Sequence, residues 1–307
     1  MSTLARTPGH RHEALLYRGE DEFVGRVAAF LREGVEAGEE VLVAVSPPKF
    51  ALLTEALGDA AGGVGYLDMD EVGRNPGRLI SAWHDWAAAR PGRALRGVGE
   101  PVTMARTPAE TAECHASEAL WNVAFAGHDL WVLCPYDTAA LAPDRLASVE
   151  RTHPAVIADG VATPSARYSQ PWTSVLTEPL TEPGQVHTTL AFGSLQRVRD
   201  AVADAARRAG AGRGRAEDLV IAVNEVACNS VRHGGGSGTL RVWEADGAVV
   251  CEVRDQGRLK DPLVGRLRPE ASRVSGRGLW MAHQLCDLVQ VRSNEQGTVV
   301  RLHLRTG

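Results

Sequence analysis

The chain has 307 residues, a length that suits two ordinary domains, and its 44% hydrophobic and 23% charged residues supply material for two cores. A net charge of −5 and a pI of about 6.1 exclude a strongly basic surface for nucleic acid. The longest apolar runs, such as Glu40–Val45, are strand-sized, too short to span a bilayer, and residues 1–7 carry no apolar signal-peptide core, so a cytoplasmic location away from membranes is expected.

In chain order, Ala14–Tyr17 and Val41–Val45 read as buried strands. Between them, Asp21–Glu36 reads as a helix with Phe23, Val27, Phe30 and Leu31 on one side and Gly38 near its stop. Val64–Leu67 and Leu130–Cys134 read as further strands, and Leu79–Arg90 and Pro108–Gly127 as intervening helices. Strands alternating with helices favour an α/β domain with a largely parallel sheet, over residues 10–168. From Ser165 to Gly184 the pattern breaks: Pro171, Pro179 and Pro183 sit among Ser, Thr and Glu, and residues 169–184 are expected to be a linker.

The remaining residues, 185–307, read differently. Thr188–Phe192 is an expected strand, and Leu195–Ala209 and Ala216–His233 are expected helices. Leu240–Trp243 and Val249–Val253 form a hairpin pattern around the turn dipeptide Asp246-Gly247. Gly278–Leu285 reads as a helix, and Val289–Val291 with Val299–Leu302 as a last hairpin around Gln296-Gly297. Helices on one face of a mostly antiparallel sheet make an α/β sandwich. The cysteines, Cys114, Cys134, Cys228, Cys251 and Cys286, are odd in number and without C-x-x-C spacing, which argues for reduced thiols rather than disulfides or a zinc site. Neither His10 with His12 nor Cys114 with His115 has metal-site spacing.

Chemistry concentrates in the last third. Glu225 and Asn229 are four apart in an expected helix, so they stack on one face. A carboxylate beside a carboxamide suits Mg²⁺, an oxygen-seeking cation, and Glu225 is placed to accept a proton from an attacking hydroxyl. Alone, the pair reads first as a solvated pair on an ordinary amphipathic helix. Asp255-Gln256-Gly257 ends a strand, where a carboxylate can accept a hydrogen bond from an exocyclic amine and a glycine lets the chain approach a ligand. Gly276-Arg277-Gly278 enters a helix, and backbone N–H groups there favour phosphate, with Arg277 adding a charge-assisted contact. Gly297-Thr298 opens the final strand.

The order and spacing bind these pieces together. Glu-x-x-x-Asn helix, hairpin, Asp-x-Gly, a gap of about twenty residues, Gly-x-Gly-Leu and a Gly-Thr strand resemble the boxes of the GHKL (Bergerat-fold, HATPase_c) ATPases. The stretch Ala222–Gly234 is most similar to anti-sigma-factor serine/threonine kinases. The resemblance implies ATP and Mg²⁺ as cofactors. It implies that Glu225 is the general base, Asn229 the Mg²⁺ ligand and Asp255, with Gly257, the adenine reader. Gly276, Arg277 and Gly278 would border the phosphates, Thr298 would support the base pocket, and Lys260–Ser275 would form the ATP lid. Leu259 departs from the longer pattern Asp-x-Gly-x-Gly. His233 reads as a helix-terminal histidine serving backbone carbonyls.

In the first half, Glu13–Tyr17, Asp21–Phe23, Gly99-Glu100-Pro101, Glu118–Asn122, Leu133–Asp137 and Thr152-His153-Pro154 occur in one order that resembles the MEDS sensory domain. That family implies a recombinase-like α/β fold. The turn after the second strand, Ser46–Phe50, lacks G-x-x-x-x-G-K and so lacks a P-loop. Ligand sensing or partner docking is implied, with Glu100, Cys134, Tyr136, Asp137 and His153 at strand ends as candidate pocket residues. The whole is then expected to be a sensor-regulated protein kinase. Its partners would be a STAS-type anti-sigma factor antagonist and a sigma factor, its assembly a homodimer, and its sensory ligand unknown, with a role in transcription regulation through signal transduction and no direct nucleic-acid contact. The alternatives are a sensor histidine kinase-like protein and a non-catalytic, ATP-responsive partner-switching module.

Overall fold

The computed structural model describes residues 9–168, 172–269 and 276–306. The chain divides into two compact units, Met1–Pro171 and Trp172–Gly307.

The first unit is an α/β layer structure. Its strands are β1 (Arg11–Tyr17), β2 (Glu40–Val45), β3 (Val64–Asp68), β4 (Leu95–Gly99), β5 (Leu130–Asp137), β6 (Ala155–Ala158) and β7 (Val161–Pro164), in the sheet order β3-β2-β4-β5-β1-β6-β7. All neighbours are parallel except the β6–β7 hairpin. Its helices are α1 (Gly19–Glu36), α2 (Pro47–Leu57), α3 (Met69–Val72), α4 (Leu79–Ala88), α5 (Pro108–Ala124), α6 (Pro143–Leu146) and α7 (Val149–Thr152). Helix α1 buries Phe23, Val27, Phe30, Leu31 and Gly34, one apolar stripe, and places Glu20, Asp21 and Glu22 in its first turn, where the helix dipole favours acids. Helix α5 starts on a reciprocal capping box between Thr107 and Glu110 with Pro108 at its first turn. Strand β2 is buried from Val41 to Val45, as a strand covered on both faces must be.

Strand β4 was not expected, and its residues explain why. Leu95-Arg96-Gly97-Val98-Gly99 lacks a strand-like run. Gly97 is required because a Cβ there would collide with the Trp83 ring of α4. Arg96 is buried with its guanidinium 4.7 Å from the Phe30 ring and 4.6 Å from the Trp131 ring, bonded at 2.5 Å to Glu39. Helix α2 occupies what read as a turn: Pro47 and Pro48 begin the helix, where a missing N–H costs nothing.

The second unit has helices α8 (Trp172–Thr177), α9 (Leu195–Arg208), α10 (Arg213–His233) and α11 (Arg277–Leu285) and strands β8 (Thr188–Phe192), β9 (Gly238–Ala245), β10 (Ala248–Asp255), β11 (Leu288–Asn294) and β12 (Gly297–Arg305). The strands form an antiparallel sheet, β11-β12-β10-β9-β8. Helix α8 falls inside the stretch that read as linker. The β9–β10 turn places Asp246 and Gly247 at φ 52° and 71°, the left-handed conformation a tight hairpin demands. One core joins Val198 and Val202 of α9, Leu219, Val223 and Val226 of α10, Ala282 of α11 and the inward residues Leu240, Val249, Cys251, Val253, Leu302 and Leu304 of the sheet. Glu252, fully buried and facing away from this core, is paired with Arg301 at 2.7 Å, Arg254 at 2.6 Å and Arg241 at 3.1 Å. Among the described residues, no helix is long and apolar enough to cross a membrane.

Candidate functional site

A cleft of about 450 Å³ opens in the second unit between the C-terminal half of α10, the turn after β10, the start of α11 and the start of β12. That volume is ordinary for a small-ligand site, roughly 300–1,000 Å³. Asn229, His233, Asp255, Gly257, Gly276 and Thr298 all line it. Residues far apart in sequence therefore meet, because the antiparallel register sets Asp255 directly opposite Thr298.

Asp255 is held by groups on both sides. Its Oδ2 accepts a 2.6 Å hydrogen bond from the Ser230 hydroxyl of α10, and its Oδ1 accepts one of 2.7 Å from the Gly257 backbone N–H. Gly234, just past α10, packs so closely on the Asp255 carboxyl that a Cβ there would collide with it. A Cβ on Gly257 would lie 2.8 Å from the His233 carbonyl oxygen. Both glycines let the helix end and the strand end cross at backbone contact. Gly297 has φ 119°, and a side chain there would strike the Asp255 carbonyl.

A hydrogen-bond relay fixes the turn itself. The Leu259 N–H donates to Ser293 Oγ at 2.9 Å, Ser293 donates to Thr298 Oγ1 at 3.0 Å, and Thr298 donates to the Gly257 carbonyl at 2.8 Å. Each hydroxyl donates once and accepts once, so the relay has one direction. Ser230 and Ser293 escaped the sequence reading; a mid-helix serine beside the Glu-x-x-x-Asn pair was the available signal for the first, and none existed for the second.

Glu225 and Asn229 face the N-terminal end of α11. A Cβ on Gly278 would lie 2.9 Å from Glu225 Oε2 and 3.4 Å from Asn229 Nδ2, so a larger residue there would push the Glu225 carboxylate aside. Gly276 caps α11 in the left-handed conformation, φ 91°. Arg277 is exposed on the first turn of α11 and is not among the cleft-lining residues. Arg258 and Lys260 bring positive charge to the cleft, and His233 lines it rather than serving only the helix end. Of the expected lid, Lys260, Asp261 and Val264 line the cleft; residues 270–275 lie outside the described residues.

The site has a carboxylate and a carboxamide one turn apart, basic side chains, a helix N-terminus of nine residues and a recessed carboxylate. This combination fits a nucleotide with its cation: oxygen donors for Mg²⁺, backbone N–H groups for phosphate, and a fixed acceptor for an amine. The sequence agrees. Residues 188–304 match the family model of the histidine kinase-like ATPase domain, and residues 11–154 match that of MEDS, the MEthanogen/methylotroph, DcmR Sensory domain. The chain joins a MEDS domain to a histidine kinase-like ATPase domain. No curated protein matches it. Among solved structures, the RsbU and RsbW domains of Rv1364c from Mycobacterium tuberculosis are similar at 22% identity, over 38% of this chain and 32% of that chain, with a TM-score of 0.29.

In the MEDS domain the five candidate pocket residues separate into different surroundings. Glu100, just past β4, is buried and bonded to Lys49 Nζ of α2 at 2.5 and 2.7 Å and to the Tyr17 hydroxyl at 2.7 Å. Burial raises the Glu100 carboxyl, and Lys49 opposes that shift. Asp137 Oδ1 accepts from the backbone N–H groups of Ala139 and Ala140 and so caps a turn. Cys134 and His153 join His12 and Glu118 in a different buried group. Tyr136 packs edge-on against His153, ring centroids 5.6 Å apart.

Proposed function

We propose that this protein is an ATP- and Mg²⁺-dependent serine/threonine protein kinase of the anti-sigma-factor type. Its substrate would be a hydroxyl on a STAS-type anti-sigma factor antagonist. The supporting observation is the approach of Gly278 to both Glu225 and Asn229, which brings a carboxylate, a carboxamide and a helix N-terminus together beside the cleft. We assign residues 185–307 to the kinase domain and 10–168 to the sensory domain that regulates it. A sigma factor is a second partner, homodimerisation is the proposed assembly, and the cytoplasm the proposed location.

In this reading Asn229 would hold Mg²⁺ through its carboxamide, and the ion would supply charge to offset the phosphates. Asp255, set by Ser230 and Gly257, accepts from the adenine amine. Thr298 keeps that turn in place. Gly276 and Gly278 border the phosphates, with Arg277 exposed beside them on the first turn of α11. Glu225 accepts the proton of the attacking hydroxyl as its oxygen bonds to the γ-phosphorus, the β–γ bridging bond breaks, and ADP leaves.

Two observations bear on the other readings. A sensor histidine kinase needs a phosphoacceptor histidine on a long helical hairpin before the ATPase domain. Among the described residues 155–187 there is only a strand hairpin and a six-residue helix. Leu259, in place of the second glycine of the longer motif, is the feature that favours a non-catalytic, ATP-responsive switch.

Calorimetry of Mg²⁺-ATP binding to wild type and Asn229→Ala tests the site, and phosphate transfer to an antagonist by Glu225→Ala tests the base. The kinase reading expects binding that Asn229→Ala abolishes or badly weakens, and transfer that Glu225→Ala abolishes while ATP still binds. Binding without transfer to any antagonist favours the switch, and a well-folded wild type that binds no nucleotide sinks both readings.

A further inference from the structure

Four buried side chains converge inside the MEDS domain. His12 comes from β1, Glu118 from α5, Cys134 from β5 and His153 from the end of α7, and each is at most 4% exposed. One ligand atom from each lies within 4.8 Å of the other three. Strands β1 and β5 are parallel neighbours in which His12 pairs with Val132 and Ala14 with Cys134, so His12 and Cys134 project to the same face, two positions apart in register. Glu118 reaches them from α5, with Oε2 2.7 Å from His12 Nε2, 3.5 Å from Cys134 Sγ and 3.3 Å from His153 Nε2.

The hydrogen bonds around the group decide where its protons are. The Asn122 amide nitrogen donates to the backbone carbonyls of Thr152 at 2.8 Å and Glu118 at 3.4 Å, and carbonyls only accept. Asn122 Oδ1 therefore faces His12 Nδ1, 3.1 Å away, and Nδ1 must carry the hydrogen. His153 Nδ1 lies 3.0 Å from the Val149 carbonyl, so it too carries the hydrogen. Neutral rings would turn both Nε2 lone pairs toward the Glu118 carboxylate, and without a metal the 2.7 Å His12–Glu118 contact needs a proton on His12 Nε2 to close it. His153 Nε2 makes no hydrogen bond despite its closeness to Glu118. The Cys134 thiol adds a proton 3.5 Å from the same carboxylate oxygen. Two imidazoles, a thiol and a carboxylate crowded together in a dry interior need a cation at their centre, either a proton held on His12 or a metal ion that replaces it.

We propose that His12, Glu118, Cys134 and His153 bind one divalent transition-metal ion, zinc by the chemistry of the donors. Two imidazoles, a thiolate and a carboxylate are a borderline-soft mixed set, and four protein ligands with no solvent access make a closed, structural site. Tetrahedral zinc with its usual bond lengths sets ligand atoms about 3.3–3.6 Å apart. His12 Nε2 to Cys134 Sγ is 3.3 Å, and two of the three Glu118 separations, 3.5 and 3.3 Å, agree. The 2.7 Å His12–Glu118 contact must open by roughly half an ångström, a small side-chain adjustment. Asn122 and the Val149 carbonyl orient the two imidazoles from behind, as outer partners of metal-bound histidines do. The ion would tie β1, α5, β5 and the end of α7 to one point and so rigidify the sensory domain.

The test uses the full chain without a polyhistidine tag. Elemental analysis by mass spectrometry should find one equivalent of zinc per chain. Replacement by Co²⁺ should give the intense visible bands of a tetrahedral site together with a thiolate-to-cobalt charge-transfer band. Cys134→Ser should lose that charge-transfer band, whereas Cys114→Ser, whose thiol donates to the Pro101 carbonyl instead, should keep it. A folded wild type that holds no metal and takes up no Co²⁺ overturns the proposal, as does a charge-transfer band that survives Cys134→Ser. If Cys134→Ser does not fold, the wild-type titration decides alone.

Discussion

The Ser230 hydroxyl donates a 2.6 Å hydrogen bond to Asp255 Oδ2 and so locks the last turns of α10 to the end of β10. Ser230 is fully buried, and its partner is a carboxylate that the proposed adenine contact needs in one orientation. A hydrogen bond to a charged group contributes about 1.5–3 kcal/mol. Ser230→Ala should therefore weaken Mg²⁺-ATP binding about tenfold, a loss of about 1.4 kcal/mol, with the fold retained by circular dichroism. Unchanged affinity in calorimetry would remove Asp255 from the adenine contact or Ser230 from its support.

Gly278 is the second point of control. A methyl group at this position meets Glu225 Oε2 at 2.9 Å, closer than van der Waals contact, and Glu225 must move away from α11. Displacement of a reacting group by about 1 Å costs on the order of 100-fold in rate. Gly278→Ala should lower phosphate transfer by at least about tenfold and weaken ATP binding less. The comparison of transfer rate with calorimetric affinity checks this, and equal losses in both would place Gly278 in binding alone.

Acid should loosen the ATPase domain through His303 on β12. Burial, then the Arg301 charge, lower its imidazole from 6.5 to about 4, with Asp287 opposing. A depressed folded value means that the unfolded chain takes the proton first as pH falls. The stabilisation is thus complete above about 6.5 and is lost as pH falls from 6.5 through about 4. His283, also buried and lowered, acts in the same direction. The thermal transition of this domain should fall in temperature between pH 7 and pH 5, and less steeply in His303→Gln. Parallel pH profiles for the two proteins would show that His303 does not carry the effect.

The strands and helices that read clearly are those whose apolar pattern is set by the core they face. Thr188–Phe192 kept its expected bounds, and α1 and α10 differ from their expected spans by only a few residues. Strand β4 was hidden because Trp83 requires glycine at 97 and Arg96 is buried by stacking rather than by apolarity. Helix α2 was hidden by two prolines that start a helix as readily as they break one. Asn229, Asp255, Gly257, Gly276 and Thr298 could be read as neighbours in one cleft because the GHKL-like pattern is carried by short local sequences. Ser293 could not, since only the β11–β12 register brings it to Thr298. The His12–Glu118–Cys134–His153 group was invisible for the same reason: His12 and Glu118 are 106 residues apart, and no local spacing joins them.

Lys49 of α2 and Glu100, just past β4, form a largely buried ion pair in the MEDS domain. Glu100 is 4% exposed, with Lys49 and Tyr17 as its charge and hydrogen-bond partners. Removing one member of a buried pair leaves an uncompensated charge and costs about 3–5 kcal/mol. Lys49 keeps 29% of its side chain exposed, so Lys49→Met should fall at the lower end of that range. Part of the loss is relieved when the isolated carboxyl takes up a proton, in the direction in which burial already shifts it. Glu100→Gln removes the charge but keeps an acceptor for the Tyr17 hydroxyl. The double variant should therefore be more stable than the sum of the two single losses predicts, by about 1–3 kcal/mol in denaturant unfolding of the MEDS domain. Strict additivity would mean that the two side chains do not stabilise each other, and that the ion pair closing this end of the sheet contributes nothing to the domain.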